Sequence, residues 1–115
     1  MAHEKPKRIE AEFYQTKARA QPVRDFLRDL TKAQKKAIGT DIRTLEYGWP
    51  IGMPVCRPMG DGLWEVRTSV DKLEFRTLFC VHREKLVLLH SFVKKTQKTP
   101  KADLDLAKNR RKELR

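Results

Sequence analysis

Cysteine is scarce in this chain: Cys56 and Cys80 are the only two, with no CxxC pair and no histidine at metal-ligand spacing. A disulfide scaffold and a zinc site are therefore not expected, and two reduced thiols in a cytoplasmic protein are the default, with a Cys56–Cys80 bond the minor alternative. No apolar run approaches the ~18 residues of a membrane span, and no segment joins a wide apolar face to a basic one over several turns, so no membrane partner is expected. The opening MAHEKPKRIE is charged, unlike a secretory leader. With five glycines in 115 residues there is no Gly-rich phosphate loop, and no Ser-His-Asp pattern occurs. Acidic residues are also in the minority. Fifteen Asp plus Glu face 26 Lys plus Arg, for a net charge of +11. That imbalance points to a polyanionic partner, nucleic acid first.

What is present reads as one domain over residues 1–115, with residues 1–7 expected to be disordered. Arg8–Tyr14 alternates, with Ile9, Ala11 and Phe13 on one face, which predicts a first strand. From Pro22 the period changes: Val23, Phe26, Leu27 and Leu30 fall at helical spacing behind a proline suited to a first helical position. Thr31 followed by Gln34 predicts a capping box, and Ala37, Ile38, Ile42 and Leu45 carry a second helix that Gly48 is expected to stop in a left-handed conformation. The Pro/Gly-rich stretch 48–58 reads as a crossover ending in an edge segment, Val55–Met59. Leu63–Thr68, Glu74–His82 and a run from Leu86 follow, separated by Gly60-Asp61-Gly62, Ser69–Lys72 and Arg83-Glu84 turns. Leu86–Val93 is almost unbroken apolar sequence, so it is expected to be the central strand, buried on both faces. Thr99 as cap and Pro100 at the first position predict a basic C-terminal helix over 100–115. Its apolar stripe is only Leu104, Ala107 and Leu114, so it is expected to be mobile or stabilised by a partner. The fold class is α+β: an N-terminal strand, a two-helix hairpin, and an antiparallel meander with helices on one face.

The chemistry of the meander lies in its cations. In Leu63–Thr68, Trp64 and Val66 share one face while Glu65 and Arg67 share the other. Antiparallel pairing through Ser69–Lys72 brings Arg76 close, and Lys94 and Lys95 leave the end of the last strand together. Guanidinium and ammonium groups around one acid can bind a phosphodiester, stabilise a dianionic transition state and supply a base for a ribose 2′-hydroxyl. The competing reading is a set of cross-strand ion pairs on a solvated face. His90, inside the apolar run, reads as a satisfied core histidine, and the aromatic residues read mainly as core, with Trp64 able to border a base-stacking surface. Lys32, Lys35, Lys36 and Arg43 read as the outer face of the second helix.

The segment GLWEVRTSVDKLEFRTLFCVHREKLVLLHSFVKKTQKTP, with AQPVRDFLRDL and TLEYGWPIGMP, resembles the phage-derived Gp49-like toxins of the HigB group, within the RelE/ParE toxin–antitoxin superfamily. The likeness runs from Glu12 to Leu114, and FVKKTQKTP is its most distinctive phrase. It implies a toxin that enters the ribosomal A site, against 16S rRNA, and cuts translated mRNA by 2′-hydroxyl attack without metal or other cofactor. By position, Arg67 and Arg76 match cations that hold the scissile phosphate, and Lys95 matches the cation after the last strand. Glu65 falls where related enzymes place a basic residue that activates the 2′-hydroxyl, and an acid there can do the same. Lys94, Lys98, Arg57 and Trp64 complete the candidate RNA contacts. Related nucleases carry a Tyr or His near the C-terminus as proton donor; here none follows Lys95, so Lys94 or Lys95 is the stand-in. The resemblance further implies a helix-turn-helix, HigA-like antitoxin as partner, with operator DNA reached only through the toxin–antitoxin complex. Two other readings stay open: a ParE-like gyrase inhibitor, and a non-catalytic nucleic-acid-binding module.

Overall fold

The computed structural model describes residues 6–95 and 98–115. Most of the terminus expected to be disordered, and His3 with it, lies outside the described residues. The order is β1 (Glu10–Phe13), α1 (Pro22–Arg28), α2 (Lys32–Gly48), β2 (Cys56–Gly60), β3 (Leu63–Val70), β4 (Leu73–His82), β5 (Lys85–Val93) and α3 (Lys101–Lys112). The strands form one sheet in the order β1-β5-β4-β3-β2. The meander β2 to β5 is antiparallel as expected, but β1 joins β5 in parallel, so the sheet is mixed. β4, not β5, is its middle strand; β5 is nevertheless internal, which is why its apolar run is buried on both sides.

Three two-residue hairpins set the register of the meander. Asp61-Gly62, Asp71-Lys72 and Arg83-Glu84 all have positive φ at both positions, the twist that matches paired strands. The paired strands then read out their alternation. Val66, Phe75, Phe79, Leu86 and Leu88 face one way, under α1 and α2; Leu63, Leu78, Cys80, Val87 and Leu89 face the other. The expectation of helices on one face is therefore corrected. β4 and β5 carry large apolar groups on both sides, and leaving the second face to water would expose Leu78, Val87 and Leu89, so α3 covers it with Leu104, Ala107 and Leu114. Tyr14 donates to Glu113, and Arg110 donates to the Leu89 carbonyl at 2.7 Å, tying α3 down at its far end.

Two helix ends differ from expectation. α2 begins with the capping box of Thr31 and Gln34, but Gly48 is not left-handed. Trp49 ends the helix in an extended conformation (φ −60°, ψ 139°), because the proline that follows disfavours the helical region for the residue before it. At α3 the cap position is Pro100, and no side chain caps the helix. Thr99 is used elsewhere.

Candidate active site

β2, β3 and β4 lie side by side, with Arg57 paired to Glu65 and Arg67 paired to Arg76. Cross-strand partners share a face, so all four side chains rise from the surface that α3 also covers. Glu65 is the hub. Its Oε1 pairs with Arg76 Nη1, and Arg67 Nε and Arg57 Nη2 stand 3.6 and 3.9 Å from the same oxygen. Its Oε2 accepts a hydrogen bond from the Thr99 hydroxyl. Arg76 in turn places Nη2 3.0 Å from Glu74 Oε1, an ion-pair distance without hydrogen-bond alignment, and Lys94 Nζ lies 3.8 Å from Glu74 Oε2. Among the described residues, four cations thus face two carboxylates, leaving a positive excess.

Burial divides the cluster. Glu65 and Arg76 are 0% exposed, whereas the Arg57 and Arg67 side chains are each 38% exposed. The inner pair is sealed, and the outer two guanidinium groups are reachable from solvent. Arg76 Nε has no hydrogen-bond partner among the described residues. An arginine held in this way is fixed by its neighbours, and the sealed surroundings strengthen every charge interaction within them.

A scan against family models matches the phage-derived Gp49-like protein family (DUF891) over residues 25–112. That is more than half of the chain, and it includes every residue of the cluster. The chain belongs to this family. Gp49-like proteins are associated with the toxins of toxin–antitoxin systems. A search of curated proteins found no match. The α+β architecture, with its five-stranded mixed sheet and three helices, is compatible with a RelE-like fold.

In this Gp49-like protein the remaining candidates are placed as follows. Lys94, mostly buried, sits at the rim through Glu74, while Lys95 and Lys98 are exposed on the connection from β5 to α3. Trp64 is not brought to the cluster. Alternation turns it to the opposite face, where it meets Trp49 edge-on at 5.2 Å. The residues that sequence reasoning missed are Glu74 and Thr99. Glu74 shares the Arg76 face of β4 and meets both Arg76 and Lys94; Thr99, expected to cap the last helix, donates to Glu65 instead.

His90 shows why strand patterns mislead near an irregularity. Between Leu78 and Phe79 the β4–β5 register shifts, so that Leu78 pairs with His90 and Phe79 with Leu88. The extra residue, Leu89, makes a bulge that turns His90 toward the α3 side as well. There its Nε2 is 2.6 Å from Asp103 Oδ1, and its ring stacks on Phe92 at 5.3 Å. That is a satisfied histidine, at the edge of the face the cluster occupies. Cys56 and Cys80 are both free and buried; burial pushes both thiols up, Cys80 to about 11. No group of His, Cys, Asp and Glu among the described residues is arranged to hold a metal ion, and no helix among them is long and apolar enough to cross a membrane.

Proposed function

We propose that this protein is the toxin of a type II toxin–antitoxin pair and acts in the cytoplasm as an endoribonuclease, cutting mRNA in the ribosomal A site without a metal. The observation that carries the reading is the convergence of Arg57, Arg67 and Arg76 on the single carboxylate Glu65. Membership of a toxin-associated family supports it. In this reading Glu65 accepts the proton of the attacking 2′-hydroxyl, and the attacking oxygen closes on the adjacent phosphorus as the 5′-oxygen leaves. Arg67 and Arg57, the two with exposed heads, neutralise the phosphate. Arg76 is a positioning residue: sealed at 0% exposure, it holds the carboxylate. Lys95, exposed beyond the last strand, is the candidate donor to the leaving oxygen.

The test is induced expression followed by mapping of transcript 5′ ends. Messages cut at A-site codons are expected, and Arg67→Ala should restore growth while leaving the protein folded, since Arg67 is partly exposed. Arg76→Ala is the poorer test because it opens a sealed pair. Intact messages with a DNA-damage response would instead identify a gyrase poison. The sealing of Glu65 and Arg76 favours a second reading, in which the inner pair is structural and the outer cations bind nucleic acid without cutting it. Salt-sensitive binding without toxicity would select it. The expected partner under the first reading is a helix-turn-helix antitoxin that shields the cationic face and α3, found by co-purification with the product of the adjacent open reading frame.

A further inference from the structure

Glu65 has two oxygens with different company. Among the described residues, Oε1 is surrounded by guanidinium groups, while Oε2 accepts from the Thr99 alcohol. Thr99 reaches it from the connection between β5 and α3, and α3 starts at Pro100 with no side-chain cap. The hydroxyl that sequence logic assigns to the helix end is turned instead onto a fully buried carboxylate 34 positions away. A threonine side chain is a secondary alcohol. So is the 2′-hydroxyl of a ribose.

We propose that Thr99 occupies the seat of the substrate's 2′-hydroxyl on Glu65, and that RNA enters the site by exchanging its own hydroxyl for that of Thr99. The identity of the incoming alcohol rests on the nuclease reading above; the occupation of Glu65 by Thr99 does not. Exchange leaves the hydrogen bonds of the carboxylate unchanged in number, so the seat is never left empty in a sealed place. A 2′-deoxy strand has no hydroxyl to offer and leaves Thr99 where it is. Lys94, Lys95 and Lys98 lie on the same connection as Thr99, so the polyanion engages the segment whose hydroxyl it must displace.

The consequence is a counter-intuitive variant. Thr99→Val keeps the shape of the side chain and deletes the donor, so that Oε2 gains a hydrogen bond when a ribose displaces the side chain. The experiment measures fluorescence anisotropy of the full-length protein with a short single-stranded oligoribonucleotide and with its 2′-deoxy counterpart, at ~0.15 M salt to limit the shared phosphate contribution. Wild type and Thr99→Ser, which both carry the hydroxyl, are expected to bind the two strands within about twofold of each other, whereas Thr99→Val should prefer the ribose strand by about tenfold, the worth of one hydrogen bond to a charged group. Thr99→Ala, made in parallel, should show the same preference, and because the readout is a ratio within one variant, loss of folded protein cancels from it. An unchanged ratio in Thr99→Val and Thr99→Ala overturns the proposal. Transcript mapping with the wild type separates the two readings: cut messages with an unchanged ratio remove only the Thr99 seat, and intact messages with a raised ratio remove only the nuclease.

Discussion

Removing Glu65 should damage this protein more than removing Arg76, although the two are partners and both are 0% exposed. Truncating one member of a buried ion pair strands the other and costs about 3–5 kcal/mol. Arg76→Ala leaves Glu65 with Arg67 at 3.6 Å, Arg57 at 3.9 Å and the Thr99 hydroxyl, so its cost belongs near the lower end, about 3 kcal/mol. Glu65→Ala leaves three guanidinium groups facing one another, with Glu74 reaching only Arg76 among them; its cost belongs near the upper end, about 5 kcal/mol. The double variant removes both stranded charges, so it should cost less than the two single costs added together, with a coupling energy of several kcal/mol rather than the few tenths typical of independent sites. Urea unfolding followed by tryptophan fluorescence suits the measurement, since Trp49 and Trp64 lie in contact within the core on the other sheet face. Against a total stability on the order of 5–15 kcal/mol these costs are a large fraction, and an unfolded Glu65→Ala beside a folded Arg76→Ala is the same result in its extreme form. Additive costs, or a larger loss for Arg76→Ala than for Glu65→Ala, would refute the view of Glu65 as the hub.

Two further predictions concern stability alone. Burial raises the Cys80 thiol from 9.0 to about 11, so the folded state holds a proton that the unfolded chain releases. Its stabilising contribution is complete below pH 9 and is lost as pH rises toward 11, at most about 2 to 3 kcal/mol by linkage. Urea midpoints should fall over that range, and fall less in Cys80→Val; equal falls would discount the thiol. Glu84 adopts φ +64° in its two-residue hairpin, a region costing an L-residue about 1–2 kcal/mol, which glycine avoids at an entropic cost of about half that. Glu84→Gly should therefore raise the thermal midpoint by a few degrees, and a lowered midpoint would count against the turn geometry.

The legible parts of this fold were those governed by local chemistry. The Thr31 and Gln34 capping box, Pro22 at a helix start, the three hairpin turns and the inward and outward alternation of β3 and β4 are each decided within a few residues, and each is found as the pattern implies. Because alternation and hairpin register together place Glu65, Arg67 and Arg76 on one face, the cluster was readable as well. What escaped was non-local. The parallel pairing of β1 with β5 joins segments 75 residues apart, and no local signal encodes it. The sealing of Glu65 and Arg76 depends on what crosses over them. The roles of Thr99 and Glu74 depend on contacts that span strands, and His90 turned with a bulge that period-2 reasoning does not foresee.

A sealed ion pair is a poor device for stability, and that decides how the cluster should be tested. Desolvating two charges costs roughly what their attraction returns, so replacing such a pair by apolar groups of similar size is often neutral or stabilising by about 1–4 kcal/mol. Glu65→Leu with Arg76→Met keeps the volume and removes both charges. It should fold at least as well as the glutamate and arginine form, provided Thr99 is made valine so that no hydroxyl is left without an acceptor. The alternative readings then part cleanly. If Glu65 carries the reaction, this triple variant is well folded, keeps its exposed Arg57, Arg67 and Lys95, binds RNA through them, and no longer halts growth. If the inner pair is structural and the outer cations only bind nucleic acid, the variant binds RNA as the parent does and neither halts growth. Continued arrest by a stably folded protein lacking the Glu65 carboxylate would end the assignment of that carboxylate as the base.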